Sequence, residues 1–207
     1  LEEIEGDLEI LCCKHENSVI RSGDVWYHSW QGGGGYGDPL GRDPESVAED
    51  VARGAVSPSA GADIYGVILT GSGELNLTAT TRRREDIRKA RLDKSVVPVK
   101  GDAVITFTGK GVLDIAGTLD VDFAAKKVSC GYCKHQHCRP GDNLLEFLRE
   151  LRSSLEAAGP VRGEDYDRGR FHLSQLICPE CGGLVDVEVA LDKSPRSFMK
   201  IGFADCD

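Results

Sequence analysis

The chain has 207 residues, room for one medium domain or two small ones, and its formal charge of −9 disfavours a nucleic-acid backbone as partner unless basic residues are gathered on one face. Hydrophobic residues make up 40% of it and aromatics only 6%, while 25 glycines and 8 prolines assign much of the chain to turns, so small cores leaning on a metal or a partner surface are expected. The first residues, Leu1 to Glu5, have neither the basic nor the apolar region of a secretion signal, and no segment approaches the ~20 apolar residues of a membrane helix. Eight cysteines in such a chain are expected as thiols and metal ligands of a cytoplasmic protein, not as disulfides.

Two blocks divide near Leu92–Lys100, giving expected domains over 1–95 and 96–207. The first opens with strand-like runs at Leu8–Cys13 and Val25–Trp30, then a glycine loop from Gly32 to Pro39. A helix follows, with Asp43 as N-cap, Pro44 at its first position, Val47, Ala48, Val51 and Ala52 on one face and Gly54 as its end. Ser57-Pro58 starts another short turn or helix. Tyr65–Thr70 reads as a strand, and Gly71-Ser72-Gly73 turns it toward Leu75–Leu77 as a hairpin candidate. Thr80–Leu92 reads as a polar helix, and its run of Arg82, Arg83, Arg84, Arg88, Lys89 and Arg91, interrupted by Glu85 and Asp86, is expected as a solvated face.

The second block has the alternating texture of strands at Ala103–Thr108, Val112–Ile115, Thr118–Phe123 and Lys126–Ser129. After a first cysteine pair, Asp142 or Asn143 can cap a helix with the stripe Leu144, Leu148, Leu151 and Leu155, broken at Gly159-Pro160. Phe171–Ile177 leads as a strand into a second pair, and Leu184–Ala190 leaves it. The expected fold class is α+β: a small mixed N-terminal segment with a glycine-rich loop and helices, then a β-rich, zinc-ribbon-like domain with an inserted helix.

The chemistry-bearing pattern is the pair of CxxC turns, Cys130-Gly131-Tyr132-Cys133 and Cys178-Pro179-Glu180-Cys181, with residues 134–177 between them. A CxxC turn puts two thiolates on one side of a tight loop, and two turns complete a tetrahedral sulfur set. Filled entirely by protein, the set leaves no position for water or substrate, so a structural metal is expected. Zinc is favoured, and a rubredoxin-like iron centre uses the same ligands. A redox CxxC lacks its βαβ setting here. His135, His137 and Cys138, just beyond the first turn, are the candidates for a mixed site. Cys12 and Cys13, adjacent on a strand-like run, point to opposite faces, and Cys206 reads as a spare thiol.

Gly32-x-Gly34-x-x-Gly37 matches the dinucleotide fingerprint in letters only. Asp38-Pro39 follows at once, no helix N-terminus is offered to a pyrophosphate, and Asp38 and Asp43 would repel one. A backbone loop that packs closely on a partner or ligand is expected instead. No serine–histidine–acid set, HExxH or paired-carboxylate motif is present, so no catalytic residue is assigned to the chain.

Val25 through Leu69 resembles the C-terminal end of hydantoinase B/oxoprolinase-type subunits. The residues that carry the likeness are Gly32-Gly33-Gly34-Gly35-Tyr36-Gly37-Asp38-Pro39-Leu40, Arg42-Asp43-Pro44, Val47 to Val51, Val56-Ser57-Pro58 and Tyr65-Gly66-Val67, with a departure at Ser59 to Ala62. The second block resembles the small gamma subunit of acetone carboxylase and its acetophenone carboxylase relative, through Cys130 and Cys133, Pro140-Gly141-Asp142-Asn143, and Cys178-Pro179-Glu180-Cys181 continuing to Val189. The resemblance implies a complex that carboxylates a ketone with bicarbonate, driven by ATP and without biotin. It implies that ATP, and any further metals, bind hydantoinase A-like and hydantoinase B-like large subunits, while the small subunit carries a structural zinc. A free zinc-ribbon module and an accessory subunit of a hydantoinase or lactam-cleaving complex are the alternatives.

Overall fold

The computed structural model describes residues 5–7, 9, 11, 18–26, 36–98, 105–154, 171–191 and 199–202, with the side chains at 190–191 and 199–202 left out. Gly32 to Gly35, Cys12, Cys13 and Cys206 lie outside the described residues, as does most of the run Leu8–Cys13. Of Val25–Trp30 the described part, Val25 and Trp26, is not a strand.

Local signals build the first helices. In α1 (Pro44–Ala52) the Asp43 carboxylate accepts the Ser46 N–H and Pro44 fills the first position, where no N–H is needed. Val47 is buried completely. In α2 (Pro58–Asp63) the Ser57 hydroxyl accepts the Ala60 N–H in the same way. Asn76 caps α3 (Leu77–Lys94), three residues earlier than the polar pattern suggested. That early start shortens the expected hairpin. Tyr65–Thr70 is not a strand, and pairing is confined to one bridge, Leu69 to Leu75, because Asn76 already caps the helix that Leu77 begins. The Ile68 N–H donates to the buried Thr80 hydroxyl instead of to a second strand.

Only half of the basic run of α3 is a solvated face. Arg84, Arg88 and Arg91, spaced i, i+4 and i+7, point inward. Arg84 donates to the carbonyls of Tyr65 and Arg42, the Arg88 guanidinium lies 5.5 Å over the Tyr132 ring, and Arg91 pairs with Asp38. Arg82, Glu85 and Lys89 are exposed. The helix has almost no apolar face, and its arginines dock it.

The remainder is β-rich. Strand β1 (Ile105–Thr108) runs parallel to β9 (Met199–Gly202). β2 (Val112–Ile115), β3 (Leu119–Asp122), β4 (Lys127–Cys130) and β5 (Gln136–Cys138) form an antiparallel meander. β6 (Arg149–Ser154), β7 (Phe171–Ile177) and β8 (Leu184–Leu191) form a second antiparallel sheet. Phe107, Val121, Val128, Leu144, Leu148 and Leu176 share one apolar core between them. The class is α+β, as the sequence indicates.

The inserted helix expected over Leu144–Leu155 is absent from its described part. Asn143 caps a single 3-10 turn, Leu144–Phe147, and the chain then becomes β6. The leucine spacing suggested a helical stripe, but Leu144, Leu145 and Leu148 are buried while Leu151 is half-exposed. Six residues of β6 pair with β7, and the fully buried Glu150 accepts a 2.7 Å hydrogen bond from Ser174. Cross-strand pairing thus overrides local helical preference.

Candidate metal centre

β4 delivers Cys130, and β7 ends at Ile177 immediately before Cys178. Each cysteine opens a turn of the same construction. The Cys130 carbonyl accepts the Lys134 N–H, and the Cys130 N–H donates to His135 O. The Cys178 carbonyl accepts the Gly182 N–H, and the Cys178 N–H donates to Gly183 O. In both turns the fourth residue after the first cysteine is left-handed, Lys134 at φ 60° and Gly182 at φ 68°. The two knuckles are therefore built alike, although one uses glycine at that position and the other lysine.

Their four sulfurs converge. All lie within 4.8 Å of one another, with Cys130 to Cys181 at 3.7 Å and Cys133 to Cys178 at 3.8 Å. A disulfide would need about 2.05 Å. A tetrahedron of sulfurs about 2.3 Å from a central zinc has edges of about 3.8 Å. The geometry thus fits four ligands around one ion, and among the described residues this is the one cluster of its kind.

Charge makes the same point. Hydrogen bonds from Cys178 and Cys181 favour the Cys130 thiolate, while the neighbouring Cys130 pushes Cys178 up and raises Cys181 to about 11. Four thiols this close cannot all ionise without a cation among them. With a zinc ion present, all four would be thiolates and the site would be closed to other ligands.

His135, His137 and Cys138 are not part of the converging set. Cys138 sits in the apolar core, where burial pushes its thiol up to about 12. His137 is buried beside Cys130, its ring 5.3 Å from that of His135.

The sequence reading missed what surrounds the knuckles. Asp38, directly after the last glycine of the loop, has a fully enclosed side chain. Arg91 donates to both its oxygens, at 2.7 and 3.1 Å, and the N–H groups of Leu184 and Leu40 donate at 2.9 and 3.0 Å. Burial would raise its carboxyl, but the Arg91 charge and these donors outweigh burial and hold it below the usual carboxylate value. The Asp38 N–H donates to the Tyr132 hydroxyl inside the first knuckle. Tyr132 in turn lies against Gly183, where an added Cβ would come within 2.6 Å of the ring. The available signal was a helix with many arginines and few apolar residues, which needs carboxylates or carbonyls to dock on.

No family model matches the chain. Two curated proteins are similar to parts of it. The acetone carboxylase alpha subunit of Xanthobacter autotrophicus is 38% identical over 77 residues, 35% of this chain and 10% of that protein. The caprolactamase subunit beta of Pseudomonas jessenii is 47% identical over 53 residues, 26% of this chain and 9% of that protein. The chain thus spans about a tenth of the length of these relatives. Among the described residues, no helix is long and apolar enough to cross a membrane.

Proposed function

We propose that this chain is a zinc-bearing, non-catalytic small component of an ATP-dependent, biotin-independent ketone carboxylase of the acetone or acetophenone carboxylase type, which converts a ketone and bicarbonate to a β-keto acid. The observation that carries the metal part is the convergence of Cys130, Cys133, Cys178 and Cys181 at zinc-like spacing. The zinc would hold the two knuckles together and do no chemistry. The likeness to a subunit of acetone carboxylase supports the complex. On this reading residues 1–95 are a hydantoinase B-like tail and 96–207 a carboxylase gamma-like ribbon. The partners are hydantoinase A-like and hydantoinase B-like large subunits in the cytoplasm, and they would supply the ATP site.

The caprolactamase likeness favours a second reading, an accessory component of a lactam- or hydantoin-cleaving complex. Purifying the chain from its native source with whatever accompanies it tests both. Bicarbonate-dependent ATP hydrolysis stimulated by a ketone supports the carboxylase, and stimulation by a cyclic amide supports the alternative. A chain recovered alone, folded, and without affinity for a hydantoinase B-like subunit refutes both.

A further inference from the structure

Both knuckles, α3 and the segment after the glycine run meet at one carboxylate. Asp38 Oδ2 accepts the N–H of Leu184, three residues past Cys181, while the Asp38 N–H reaches the Tyr132 hydroxyl between Cys130 and Cys133. One residue therefore touches both halves of the sulfur set. Arg91, which neutralises Asp38, also donates to Gly182 O at 3.4 Å, inside the second knuckle. α3 is so close there that a Cβ at Gly182 would stand 2.4 Å from the Arg88 carbonyl. Enclosing a carboxylate is costly unless it is fully paired, so this contact set defines a single arrangement of knuckles and loop.

We propose that Asp38 is a positioning residue for the four-cysteine site, so that metal retention and docking of residues 36–41 on the knuckles are one coupled event. The inference rests on the reading that the cysteines hold a metal. The two Asp38 contacts form together only when the knuckles stand at the separation the sulfurs require. The ion therefore favours the docked segment, and by reciprocity the docked segment favours the ion. Groups that orient ligands from behind act on metal affinity in this way.

The test uses the full chain loaded with zinc and follows release to a colorimetric chelator. Asp38→Ala should speed release by about 10- to 100-fold. Asp38→Asn, which keeps an acceptor for the Leu184 N–H and loses the charge pair, should fall between it and the wild type. Asp50→Ala is the control, because Asp50 pairs with Arg42 and Arg53 and not with a knuckle. It should release zinc at nearly the wild-type rate. Release from Asp38→Ala no faster than from Asp50→Ala overturns the proposal.

The wild-type protein gives a second arm that needs no variant to fold. Zinc removal should speed amide exchange at 36–42 and 84–92 as well as at 130–134 and 178–184. Exchange that rises at the knuckles alone, with zinc binding intact, refutes the coupling and leaves the metal site standing. A wild-type chain that retains less than about half an equivalent of zinc or iron refutes the metal reading, and this proposal with it.

Discussion

Gly183 and Asp50 show how single residues report on this structure. An alanine at Gly183 would press its methyl into the Tyr132 ring, a contact of 2.6 Å before any adjustment. Gly183→Ala should therefore cost about 1–3 kcal/mol in denaturant unfolding, the usual range for overpacking. Asp50 is held below the ordinary carboxylate value by hydrogen bonds from Arg53 and Arg42, against the opposing effect of burial. A group whose folded pKa is depressed stabilises fully above its unfolded value, and that stabilisation fades as pH falls through the folded one. Wild type should thus melt higher than Asp50→Asn at pH 6, and the gap should close as the pH drops below 3.8, the ordinary Asp value. The four converging cysteines were legible because both members of each pair lie three apart in sequence. Asp38 was not, because its partners Arg91 and Leu184 stand 53 and 146 residues away, and proximity to glycines suggested a loop that rejects phosphate and packs on a partner or ligand, not a carboxylate docked on the knuckles.

At the scale of elements, legibility follows how local the cause is. α1 and α2 could be read because the accepting oxygen, a proline and the donating N–H all fall within four residues. Asp43→Ala should cost about 1 kcal/mol, a typical capping loss, by thermal or denaturant melting. β6 could not be read, since its pairing partner β7 begins 17 residues beyond its end and the leucines before, within and just after it mimic a helical stripe. α3 misled in another way: its inward stripe is written in arginines, which patterning assigns to water. Arg91→Ala would leave the enclosed Asp38 carboxylate without its counter-charge and should cost about 3–5 kcal/mol. Arg82→Ala, on the exposed side of the same helix, should change stability by no more than about 0.5 kcal/mol. Equal losses from the two substitutions in equilibrium unfolding would contradict the inward arginine stripe.

For the molecule as a whole, the apolar core of the sheets is built from other residues than the polar joint that holds α3 and the Asp38 segment to the knuckles. Leu176 stands for the first, being fully buried in the shared core, and Leu176→Ala should cost about 2–5 kcal/mol. Zinc titration probes the second. Free zinc at about 100 times its dissociation constant should add about 2.7 kcal/mol to the stability of the chelated protein, and the melting midpoint should climb with zinc concentration. A midpoint indifferent to zinc would mean that the sulfurs hold none. The hydrogen bond from Leu184 to Asp38 has a further consequence, in time. It joins positions 146 apart, so it can close only after the chain between them has been gathered in. Contacts of such long range are the slow ones to form. During refolding the sulfur turns, each a matter of a few residues, should organise early, and the joint that locks the Asp38 segment onto them should form among the last steps.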